Sequence, residues 1–179
     1  LLGRGIVSGL VVGIDPGKTG AAVAMDLKGN PIEWMAADHP REGYTVKGTR
    51  GRDYVPSVMA LWLSQLEDVR MVLVEKQSAR PIEGRSSCLT TGFGFGLWVG
   101  ILAAARLPYR VVSPGMWTRY ALGSLPKTGD RKSRSIVAAA AQVPSLPLTW
   151  DRKTKPHDGL ADAALIARYG LSLLGQGAA

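Results

Sequence analysis

With 46% hydrophobic and 20% charged residues, a chain of 179 residues can bury a core without disulfide or metal staples, which excludes a largely disordered protein and predicts one domain over residues 1–179. The 22 Lys and Arg against 14 Asp and Glu leave a formal charge of +8, which favours polyanionic partners, nucleic acid first among them. Cys88 is the sole cysteine, so an intrachain disulfide and a cysteine-based zinc site are excluded; with no secretory-signal pattern at the N-terminus, a cytoplasmic setting is expected.

Residues 10–15, 21–26 and 32–37 read as three strands in a meander. Pro16-Gly17 ends the first, and Lys28-Gly29-Asn30-Pro31 turns the second into the third. Residues 39–52 combine Arg41, Lys47, Arg50 and Arg52 with three glycines and show no regular periodicity, which predicts a mobile basic loop. Asp53 is then a candidate N-cap, because Val55, Val58, Met59, Trp62 and Leu66 follow at helical spacing. Residues 71–75 form a short apolar run ending in Glu75, the pattern of a central strand buried on both faces.

After a loop over 77–83, no charge occurs between Arg85 and Arg106, a length that could cross a bilayer. Ser86, Ser87, Thr90, Thr91 and the interspersed glycines predict a buried helix of an α/β domain instead, with no membrane partner. Within it Gly92, Gly96 and Gly100 make a stripe suited to close approach, either by the helix's own sheet or by a second copy. Residues 109–113 read as a fifth strand, and Pro114 opens a short helix to residue 120. A helix over 129–142 starts with the charged run Asp130, Arg131, Lys132; residues 144–156, with three prolines, form a surface connection; a last helix spans 157–174. The order predicts an α/β fold: a mixed five-stranded sheet, an antiparallel meander plus parallel strands, flanked by helices.

The strongest local signal is Gly13-Ile14-Asp15-Pro16-Gly17-Lys18-Thr19-Gly20, directly after an apolar strand. A phosphate-cradling Walker loop would need glycine where Val12 stands. An actin-like ATPase also carries Asp-x-Gly-x-Thr after its first strand, but it clamps nucleotide between two lobes, and this chain is too short for a second. No nucleotide cofactor is therefore expected. The third meaning is a metal carboxylate: Glu75 ends a strand expected beside the first, and Asp158 and Asp162, four apart, project from one helical face. Four acids gathered without compensation would repel, so the set makes sense with divalent cations; oxygen-only ligands favour Mg²⁺, with Mn²⁺ as substitute. Two such ions about 4 Å apart can activate water for in-line attack on a phosphodiester.

In these segments the chain resembles the RuvC-like Holliday junction resolvases, the bacteriophage type in particular, over nearly its whole length. Val12-Gly13-Ile14-Asp15-Pro16-Gly17 is similar to the family's first motif, Val74-Glu75-Lys76 to its second, and His157 through Leu165 to its last; Ser113-Pro114-Gly115-Met116-Trp117 and Asp130-Arg131-Lys132-Ser133 resemble the middle segments. The resemblance implies an RNase H-like homodimer that binds four-way junctions and nicks opposed strands with Mg²⁺. It carries metal-ligand roles to Asp15, Glu75 and Asp162. The fourth ligand is assigned to Asp158, with His157 as the alternative, because bacterial members place it where this chain has Gly159. Lys132 resembles a basic residue set near the scissile phosphate, and a solvated helix start is its ordinary alternative. Arg41, Lys47, Arg50, Arg52, Lys76, Arg80, Arg85, Arg131 and Lys132 are the implied DNA contacts. Pro81, Ile82 and Leu89 are the nearest candidates for a residue that opens the junction centre. The same acids would serve a related nuclease acting on forks, flaps or RNA, and a non-cleaving DNA-binding module is the reading from another class.

Overall fold

The computed structural model describes residues 9–40, 43–48, 51–78, 84–125, 129–150 and 154–176. The meander forms as expected: β1 (Leu10–Asp15), β2 (Ala21–Asp26) and β3 (Pro31–Ala36) pair antiparallel in sequence. A small hairpin, β4 (Thr45–Gly48) and β5 (Gly51–Tyr54), precedes α1 (Pro56–Ser64). Strand β6 (Val69–Glu75) joins β1 in parallel, and helix α2 (Arg85–Ala104) leads to β7 (Tyr109–Val112), parallel to β6. Helices α3 (Pro114–Leu122), α4 (Arg131–Gln142) and α5 (Asp158–Gln176) complete the described chain. The main sheet runs β3-β2-β1-β6-β7, the mixed five-stranded arrangement expected.

The period-two alternation of a strand decides where the acids go. Val12 and Ile14 of β1, with Val72 and Val74 of β6, pack beneath Met59, Trp62, Trp98 and Leu102 of α1 and α2. The alternate positions face the other way: Leu73 packs with Trp117, Leu165 and Ile166 of α3 and α5, and Gly13 lies directly under α5. Asp15 and Glu75 continue that second set. Ile14 pairs with Val74 in the parallel register, so the two carboxylates end neighbouring strands on the face covered by α5. Glycine lets α5 lie so close: a Cβ on Gly13 would run into the backbone of Ala163 and Ala167, and one on Gly159 into the backbone of Thr19 and Gly20.

Four expectations are corrected. Within 39–52 the described residues contain the β4-β5 hairpin rather than an irregular loop. Its strands are four residues long, too short to register as periodicity, and Tyr44, fully buried, pins it by donating its hydroxyl to the Gly17 carbonyl (2.9 Å). Asp53 belongs to β5; the N-cap of α1 is Val55, followed by Pro56, with no side-chain cap. Helix α2 is long and apolar enough to cross a membrane over Ser86–Ala104, but it is not the buried helix expected, since in that stretch only Gly94, Trp98 and Leu102 are buried. Close seating falls to Gly94, where a Cβ would strike Tyr54 and the Pro16 carbonyl, whereas Gly92, Gly96 and Gly100 have nothing within 4 Å of a built Cβ. The stripe therefore faces away from the sheet. The connection after α4 also does more than cross the surface: Val143 and Leu146 are buried, and Trp150 stacks on Trp34 (5.8 Å between centroids).

Candidate active site

Strand ends and the first turns of two helices build the site. Glu75 is 7% exposed and accepts from the Trp117 indole N–H (2.9 Å) at Oε1 and from the Gln77 amide (3.0 Å) at Oε2. Asp15 accepts from the Gly17 N–H (3.3 Å), which closes the turn after β1. Asp162, 3% exposed, stands one helical turn beyond Asp158 on α5. Opposite lies the start of α4, set by Asp130, whose carboxylate accepts from the Ser133 N–H (2.8 Å). Consecutive cations from that turn meet the two acids of α5: Arg131 pairs with Asp162 at 2.9 Å, and Lys132 pairs with Asp158.

The electrostatics are those of an under-compensated acid cluster. Burial, then repulsion by Glu75 and Asp162, holds the Asp15 carboxyl well above the usual carboxylate range, against the Gly17 N–H and Arg131. Burial also raises Glu75, opposed by the Trp117 hydrogen bond and reinforced by Asp162. Asp162 is raised by burial despite Arg131. For Asp158 burial is outweighed by the hydrogen bond and charge of Lys132, so its carboxyl lies below the usual range. Asp15, Glu75 and Asp162 thus form the repelling core of the site, and Asp158 is its compensated outer member.

The donor set suits a hard divalent cation, being all carboxylate oxygen. Asp162 Oδ1 is buried with no hydrogen-bond partner; the buried Ser135 hydroxyl is near enough to favour the charged carboxylate, yet makes no hydrogen bond of normal geometry with it. Among the described residues, however, no three acid, His or Cys side chains form a ready cage for one ion. Arg131 engages Asp162 directly and Glu75 and Asp15 through space. The acids fit a metal by chemistry and orphaned valence rather than by a closed cage.

His157, the alternative fourth ligand, has both ring nitrogens engaged. Nδ1 accepts from the Leu160 N–H (2.9 Å), which puts the proton on Nε2, 2.9 Å from Asp38 Oδ1. It ties the start of α5 to the end of the meander. Of the basic residues, Lys47 and Lys76 are exposed, and Arg52 donates to Thr45 Oγ1 (3.3 Å). Arg41, Arg50 and Arg80 lie outside the described residues, as do Pro81 and Ile82; Arg85 is placed only as the first residue of α2. Leu89 is 76% exposed. Sequence reasoning missed the roles of Trp117 and Gln77 on Glu75, and it missed Lys18, which lines a cleft of about 350 Å³ with Arg52, Tyr54, Leu89 and Phe93. The Ser113-Pro114-Gly115-Met116-Trp117 segment was the one signal that pointed at Trp117.

No protein-family model and no curated protein sequence matches the chain. Solved structures do. RuvC of T. thermophilus in complex with a Holliday junction substrate is similar at a TM-score of 0.61 and 19% identity, covering 94% of this chain and 96% of that one. A second Thermus thermophilus RuvC structure gives 0.59 and 20% over the same shares. The yeast mitochondrial Holliday junction resolvase Ydc2 gives 0.58 and 19%, covering 93% of this chain and 79% of that one. At such identity the likeness speaks for architecture, and the sheet order, the helix across β1 and the acids at the strand ends together identify the fold of this chain as the RNase H-like fold of RuvC.

Proposed function

We propose that the protein is a metal-dependent endonuclease that resolves Holliday junctions. The observation that carries this reading is the convergence of Asp15, Glu75 and Asp162, each held above its ordinary pKa, on one face of a RuvC-type sheet. Asp15, Glu75, Asp158 and Asp162 would hold Mg²⁺, or Mn²⁺ in its place, with Asp158 favoured over His157 because both imidazole nitrogens are committed. When bound, such ions supply Lewis acidity, an activated water and stabilisation of the leaving oxygen. The chain's own residues do the positioning. Trp117 and Gln77 fix both oxygens of Glu75, and His157 anchors the turn of α5 that carries Asp158. Lys132, paired with Asp158 in the absence of DNA, would turn to a phosphate oxygen when substrate binds.

Lys47, Arg52 and Lys76, with Arg41, Arg50, Arg80, Arg85 and Arg131, are the proposed DNA-backbone contacts, and the net charge of +8 supports them. The working unit is a homodimer, as two symmetric nicks require. The open apolar face of α2, with Gly92, Gly96 and Gly100 beside Phe93, Leu97 and Ile101, supports it as the contact, since apolar ground of this kind on a basic protein calls for a cover.

The test is incubation with a synthetic four-way junction with and without Mg²⁺, mapping nicks on every strand, beside fork, flap and RNA–DNA hybrid substrates. Paired nicks at symmetric positions are expected. Preferential cutting of a fork, flap or hybrid would reassign the substrate, and binding without cutting would make the chain a DNA-binding module. Asp15→Asn and Asp162→Asn should abolish cutting in Mg²⁺ while junction binding in Ca²⁺ persists.

A further inference from the structure

We infer that Arg131 is a resident counter-ion that a divalent metal must displace from Asp162. This deepens the metal-dependent reading above and rests on it. The Arg131 guanidinium turns inward, toward the acids. Its Nη1 bonds Asp162 Oδ2 (2.9 Å) while Asp162 Oδ1 is left without a partner, and its charge is felt by Glu75 and Asp15 as well. The guanidinium also lies over the Trp117 ring (5.7 Å to the centroid), the same indole that donates to Glu75. One cation is thus coupled, directly or through Trp117, to Asp15, Glu75 and Asp162.

Two features make the contact exchangeable rather than permanent. The Arg131 side chain is 41% exposed, so it can swing toward solvent, while the Asp162 side chain, 5% exposed, is fixed on α5. Within the site, Arg131 is the cation set against Asp162, Glu75 and Asp15 together, one positive charge facing three carboxylates. A doubly charged ion compensates better, but it needs the Asp162 oxygen that Arg131 holds.

The experiment measures metal affinity without DNA. Isothermal titration of Mn²⁺ into the parent protein and into Arg131→Gln, at mildly alkaline pH so that protons do not compete, should show the variant binding roughly tenfold tighter, the scale of one charge-assisted contact removed from the metal-free state. Arg131→Lys, which keeps a cation, should stay near the parent. If Arg131→Gln fails to fold, the parent alone decides: with isotope-labelled arginine, the Arg131 guanidinium resonance should be protected from exchange in the metal-free protein and lose that protection as Mg²⁺ saturates. Unchanged or weaker Mn²⁺ binding by the folded Gln variant, or a guanidinium signal indifferent to bound Mg²⁺, overturns the inference. A parent that cuts junctions but fails these tests leaves the nuclease reading intact. A parent that binds no metal and cuts nothing overturns both.

Discussion

Replacing Gly13 by alanine adds one methyl at the point where α5 crosses β1. The built Cβ meets the carbonyl of Ala163 and the backbone of Ala167, atoms that cannot swing aside as a side-chain tip can, so the helix must lift. Overpacking of this kind costs about 1–3 kcal/mol, which for a domain of this size lowers Tm by roughly 2–12 °C. The functional cost should exceed the loss of stability. Asp158 and Asp162 ride on α5 while Asp15 and Glu75 stay with the sheet, so lifting the helix widens the gap between the two pairs. Displacements near 1 Å cost on the order of 100-fold in rate. Calorimetry, with junction cleavage measured well below the variant's Tm, separates the two effects. Gly13→Ala with parental Tm and cleavage would refute the claim that α5, seated on β1, sets the carboxylate geometry.

Trp117→Phe keeps a ring but removes the indole N–H from Glu75; a lost hydrogen bond to a buried carboxylate costs about 1.5–3 kcal/mol, and cleavage should fall roughly 10- to 100-fold, as for groups that orient metal ligands. Parental turnover at saturating Mg²⁺ would mean that the indole does not orient Glu75. The pKa shifts predict a pH dependence of the metal-free protein. The raised carboxyls of Asp15, Glu75 and Asp162 make the folded state take up protons more readily than the unfolded chain, so they favour folding below their ordinary values and lose that contribution as pH rises through the raised ones. Asp158, lowered, runs the opposite way. In chelator, Tm should therefore rise from alkaline to mildly acid pH, and less so in Asp15→Asn; a flat or inverted profile contradicts the burial and repulsion that raise these carboxyls. Gly96→Glu puts a charge on the open face of α2 where nothing within the chain lies within 4 Å of a Cβ. Light scattering should find a monomer, with thermal stability retained at low protein concentration because a helical glycine has been replaced; an intact dimer would move the interface elsewhere.

Much of the architecture was legible in the residues because strand and helix periods are local. The meander, the apolar run ending in Glu75 and the paired acids of α5 each announce themselves within a few residues, and parity along β1 and β6 already assigns Asp15 and Glu75 to a common face once the strands are taken as neighbours. The β4-β5 hairpin escaped because four-residue strands around glycines carry no period, and what holds the segment is the Tyr44 hydroxyl on Gly17, a contact across 27 residues. Helix α2 misled for a related reason. An uncharged sequence states that a face is apolar and cannot state what covers it, so Gly94 and the 92-96-100 stripe look alike in sequence and part company only against Tyr54 and Pro16.

The chain by itself determined which acids exist and at which element ends they stand. Only the tertiary structure decided which partner each one meets: Trp117 for Glu75, Arg131 for Asp162, Lys132 for Asp158, Asp38 for His157. Those pairs join residues between 26 and 119 positions apart. No local propensity encodes such a contact, because its free energy arises only when the fold brings groups from distant parts of the chain together.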